Sequence, residues 1–111
     1  MGESLDIDQL RGVARQGRLE WQRHALERMA ERGITRAEVQ EVLLGGERIE
    51  DYPGDRPLPS GLFLSWVRGR PLHVVAAFDI ANRTVAIITT YEPTLEYFEA
   101  DFEPGGNHEG E

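Results

Sequence analysis

The chain contains no cysteine and no lysine. Without thiols it has no disulfide, no thiolate nucleophile and no cysteine-ligated zinc or iron–sulfur centre, and nothing in it asks for an oxidising compartment. Without lysine it has neither a Schiff-base amine nor a P-loop phosphate lysine, which removes two large enzyme classes. No apolar run approaches the ~20 residues of a membrane-spanning helix, and the first residues lack the core of a secretion signal. A cytoplasmic protein without a membrane partner is the expectation. GxSxG, GxGxxG and HExxH are also missing, so no cofactor and no metal site is expected.

What is present fits one compact domain: 111 residues, 40% hydrophobic and 29% charged, enough to bury a core without staples. The net charge of −8 conceals a segregation. Residues 92–111 carry seven acids and no arginine, leaving 13 acids against 12 arginines over residues 1–91. Within that near-neutral body, residues 11–36 hold seven arginines against Glu20, Glu27 and Glu31. Steering of a polyanion depends on such a local field more than on the total.

Periodicity divides the chain into a helical first half and a β-rich second half. Asp6 and Gln9 form a capping box for a helix from Ile7 to Arg15, with Ile7, Leu10 and Ala14 as its apolar stripe. A brief Leu19–Trp21 extension leads into a second helix over Gln22–Arg32, stopped by Gly33 where a left-handed backbone is tolerated. Thr35 and Glu38 cap a third helix through Leu44. Arg48–Tyr52 reads as a charged edge strand, and Pro53, Pro57 and Pro59 mark a loop. Leu62–Val67, Leu72–Asp79 and Thr84–Tyr91 are strong strands joined by short turns. The middle strand is apolar on both faces, which places it at the centre of its sheet. The expected fold is α+β, with two to three helices on one face of a three- to four-stranded antiparallel sheet. One domain spans residues 1–98, followed by an acidic, disordered tail over 99–111 that contains His108.

The chemistry-bearing groups follow from this placement. At 100° per residue, Ala25 and Met29 mark the buried stripe of the second helix, while His24, Arg28 and Arg32 form a row along its border. Arginine forks match phosphate oxygens and an imidazole moves protons near neutral pH, so the row is a candidate anion clamp facing an open hollow. The structural alternative has the arginine stems covering apolar surface, with Glu27 or Glu31 neutralising their heads. His73 lies within the strongest strand, where a hydrogen-bonded structural role competes with a catalytic one. Tyr91 ends the last strand before Glu92-Pro93.

The strings His24-Ala25-Leu26-Glu27-Arg28-Met29-Ala30-Glu31-Arg32-Gly33, Gly46–Tyr52, Pro71-Leu72-His73-Val74-Val75 and Thr89-Thr90-Tyr91-Glu92-Pro93 together resemble a bacterial family of unknown function, number 4258 in its series, over about residues 18–98. That family is similar to the RelE-like and BrnT-like toxins. The resemblance implies a RelE-like fold, a metal-independent ribonuclease activity on RNA, and a cognate antitoxin as partner, such as a small zinc-finger protein. Carried over by position, its polar residues are His24, Arg28, Arg32, His73 and Tyr91. The near-neutral body and acidic tail depart from the usually basic character of such ribonucleases. A ribonuclease of this kind would use the arginines on the phosphate and the two histidines as acid and base, with Tyr91 stacking or donating. The rival is a non-enzymatic module that docks a protein through its sheet edge and arginine-rich helix.

Overall fold

The computed structural model describes residues 5–93. Three helices and five strands follow one another as α1 (Ile7–Arg15), β1 (Leu19–Trp21), α2 (Arg23–Arg32), α3 (Arg36–Gly45), β2 (Glu47–Tyr52), β3 (Ser60–Val67), β4 (Arg70–Asp79) and β5 (Thr84–Tyr91). The expected tail over 99–111, the end of the domain at 98 and His108 lie outside the described residues.

Each helix begins where its capping chemistry directs. Asp6 accepts from the Gln9 backbone N–H at 3.1 Å, although the Gln9 side chain returns to the Asp6 carboxylate and not to its backbone. At α3 the capping box is complete in both directions. Gly33, at φ 67°, ends α2 in the left-handed region. Gly46 is needed for a different reason. A Cβ there would meet the carbonyls of Val42 at 2.5 Å and Leu64 at 2.6 Å, because α3 is drawn directly onto β3. We expect Gly46→Ala to cost about 1–3 kcal/mol from overpacking, read as a lowered midpoint of thermal unfolding. Gly45→Ala, one residue earlier with open space around it, should be neutral or stabilise by up to about 1 kcal/mol.

The sheet order is β1-β5-β4-β3-β2, so the doubly apolar β4 is central and the charged β2 is an edge, as its composition requires. Two expectations are corrected. The sheet has five strands, not three or four, and it is mixed, not antiparallel. Leu19–Trp21 is not a mere extension but an edge strand parallel to β5, with Leu19 beside Val85 and Trp21 beside Ile87. Three residues carry too little alternation to declare a strand; only the partner, more than sixty positions away, makes it one. The β3–β4 hairpin turns on Arg68 and Gly69, at φ 55° and 83°. Two positive angles in succession give the mirror-image turn whose twist suits paired strands.

Alternation assigns the two faces of the sheet. Phe63, Val67, Leu72, Val74, Ala76, Phe78, Val85 and Ile87 meet the helices in one core with Leu10, Val13, Ala25, Met29, Val39, Val42 and Leu43. The second face carries Leu62 and Leu64 of β3, His73, Val75 and Ala77 of β4, and Ala86 of β5. A bulge at Ile88 restores Thr89 and Tyr91 to this second face, opposite Val75 and His73.

Candidate functional site

The backbone pins α2 beside the end of β5. The Gln22 N–H donates to the Ile87 carbonyl at 3.4 Å. At the other end, the Arg70 guanidinium donates to the carbonyls of Arg32 at 3.3 Å and Gly33 at 2.9 Å, and it pairs with Glu92 at 3.8 Å. Ten helical residues span about 15 Å, and the five strand steps from Ile87 to Glu92 span about 17 Å. The row on α2 and the carboxyl end of β5 therefore run side by side.

On that helix Ala25 and Met29 are buried, which turns the row toward the border of the core. His24 and Arg32 are exposed, and among the described residues neither side chain has a hydrogen bond or ion pair. Arg28 pairs with Glu31 at 3.3 Å, with 44% of its side chain exposed. The acidic neutralisation that the structural alternative requires thus reaches one of the two arginines. Among the described residues, cavities of about 550, 440 and 280 Å³ are lined by other side chains than His24, Arg28, Arg32, His73 and Tyr91.

His73 and Tyr91 form a directly opposed pair on β4 and β5. Their rings meet edge to face, with centroids 5.2 Å apart and planes at 67°. His73 is fully buried, and the Thr90 hydroxyl donates to its carbonyl at 2.7 Å. Burial raises the Tyr91 hydroxyl pKa above the usual tyrosine value, and Tyr52 adds to the shift. Tyr52 is raised too, by burial first and then by Glu50 and Asp55. Both phenols consequently stay protonated at neutral pH and act as donors. Of the five residues singled out in the sequence, His73 and Tyr91 touch, while His24, Arg28 and Arg32 line the neighbouring helix.

Three further contributors escape a reading of the sequence. Glu38, recognisable as a cap, is also a buried acid (4% exposed) that receives Arg70 at 3.2 Å and lies 4.0 Å from Arg68. Its pKa is lowered chiefly by the Thr35 backbone N–H, then by the charges of Arg70 and Arg68, against an opposing effect of burial. Arg70 joins the ends of α2, α3 and β5. Tyr52, paired with Ser60 on the second face of the sheet, carries a signal only in its even-numbered alternation with Glu50.

Among the described residues no cluster of three His, Asp or Glu side chains is arranged to hold a metal ion, and no helix is long and apolar enough to cross a membrane. Residues 21–92 match a family described as Domain of unknown function (DUF4258). No curated protein matches. No solved structure matches either.

Proposed function

This chain belongs to the DUF4258 family, and we propose that it is a metal-independent ribonuclease of the toxin kind, held in check by a cognate partner protein. The observation that carries this reading is the row on α2. Two of its three cationic or titratable groups are exposed without internal acid, in the most arginine-rich part of the chain, beside the strand end that bears Tyr91.

RNA can be cleaved through its own 2′-hydroxyl when a base removes that proton, an acid supplies the departing 5′-oxygen, and cations stabilise the crowded phosphate. Arg28 and Arg32 take the phosphate. His24, exposed at the start of the row, exchanges the proton. Tyr91, kept protonated by burial, donates to the phosphate or the leaving oxygen. His73 was the other candidate for acid or base. Its complete burial suits it better to holding the Tyr91 ring, with any direct proton transfer requiring that face to open.

Induced expression in bacteria tests the reading, with and without the neighbouring gene. Growth arrest that the neighbour relieves, accompanied by RNA fragments ending in cyclic phosphates, is the expected result. His24→Ala should cut cleavage by about 100-fold or more, the contribution of one positioned acid or base, without shifting thermal unfolding. Harmless expression and intact RNA would favour the second reading, a module that docks a protein partner. That reading draws on β2, an edge strand among the described residues, and on exposed Trp66 (54%) beside the Arg68 turn, a setting suited to strand addition.

A further inference from the structure

The 280 Å³ cavity sits on the second face of the sheet and reaches the start of α2, and the strand register explains its floor. Ser60 pairs with Ala77, Ala77 with Ala86, and Ala86 with Glu20. Three of the smallest side chains therefore lie abreast on β3, β4 and β5, and they hollow the sheet next to Val75 and Ile88, which neighbour each other at one end of the hollow. Pro57 and Leu58, from the loop before β3, add to its lining. The result is a slot floored by small side chains. Its volume falls just short of the about 300 Å³ at which pockets for drug-sized ligands begin, so it has room for a single ring system.

The mouth of the slot is polar. Gln22 offers an amide donor and acceptor, Asp55 a carboxylate and Arg56 a guanidinium. One Asp55 oxygen is engaged by the Ser60 hydroxyl at 2.5 Å, which anchors the loop to the floor and leaves the second oxygen to accept. A planar heterocycle needs apolar cover for its faces and donors and acceptors for its edge, and an aliphatic side chain would leave this rim unused. Gln22 occupies the N-cap position of α2, without a capping bond from its side chain, so the slot's lining reaches the start of the His24–Arg28–Arg32 row.

We infer that this slot takes one unstacked nucleobase of single-stranded RNA, while the adjoining row on α2 tracks the phosphates. The inference rests on the ribonuclease reading and adds a base-binding subsite to it. Double-stranded RNA, whose bases stay stacked, would reach only the arginines.

Fluorescence anisotropy with the full chain tests this, comparing labelled deca-adenylate with a decamer of the same ribose–phosphate backbone lacking bases. The intact protein is expected to bind deca-adenylate about 10-fold or more tightly than the abasic strand, the scale of one buried base. Ala86→Leu, which fills the floor, should remove that difference and leave abasic binding unchanged. Equal binding of the two strands by the intact protein would overturn the subsite while the ribonuclease reading stood. A persisting preference in a folded Ala86→Leu protein would overturn it equally. Binding of neither strand would remove the RNA reading and the subsite with it. Should Ala86→Leu fail to fold, the comparison of the two strands on the intact protein still decides.

Discussion

Replacing Arg28 and Arg32 together by glutamine is expected to lower RNA cleavage by about 100-fold or more. The scale is that of removing donors aimed at a developing oxyanion. Both side chains lie at or near the surface, and their one internal ion pair is the exposed Arg28–Glu31 contact. Pairs of that kind contribute little to stability, so the midpoint of thermal unfolding should stay within a few degrees. The same double variant should flatten the salt dependence of RNA binding. Each lost phosphate contact takes about 0.7 from the slope of log affinity against log salt on a single strand. Unchanged cleavage by this variant would mean that the row is the solvated border of a core helix and nothing more.

Arg70→Leu is expected to act on stability first. The substitution leaves Glu38 buried with the Thr35 backbone N–H and, among the described residues, Arg68 at 4.0 Å as its remaining cation, and strips two carbonyls at the end of α2 of their donor. Removing one member of a fully buried pair costs about 3–5 kcal/mol. Because the Arg70 side chain keeps 27% exposure, we expect about 2–3 kcal/mol, near the lower end. At 4–8 °C per kcal/mol for a domain of this size, the melting temperature falls by roughly 10–20 °C. Adding Glu38→Gln should recover part of the loss by removing the stranded charge, which a purely steric account would not foresee.

The same pair sets a sign for pH. The Glu38 pKa is depressed on folding, most of all by the Thr35 backbone N–H. Its stabilising contribution is therefore present above the unfolded carboxylate pKa and is lost as pH falls through the lower, folded one. The Arg70→Leu protein should show a smaller loss of stability between neutral and acid pH than the parent. Urea unfolding at several pH values measures this directly.

Much of this molecule was legible before any coordinates. Asp6, Thr35 with Glu38, and Gly33 announce helix ends because capping is local chemistry, complete within four residues. The central place of β4 and the edge place of β2 could be read from alternation, since a strand apolar on both parities must be covered on both. The border position of His24, Arg28 and Arg32 follows from helical period alone. Tyr52 stayed hidden because its influence on Tyr91 crosses between strands distant in sequence, and Asp55 because its bond to Ser60 depends on how the intervening loop folds back. Arg70 resembled one more solvated arginine at a hairpin turn.

The sequence by itself determined the α+β order of elements, the helix caps, the strand faces and the candidate row of cations, because each depends on residues within a turn or a pleat of one another. Only the tertiary structure decided that Leu19–Trp21 is a parallel edge strand, that His73 is sealed against Tyr91, and that Ser60, Ala77 and Ala86 lie abreast as the floor of a slot. Those facts depend on strand register between distant segments. A shift of a single residue would turn each of those side chains to the opposite face, and no local pattern encodes which register the packed core selects.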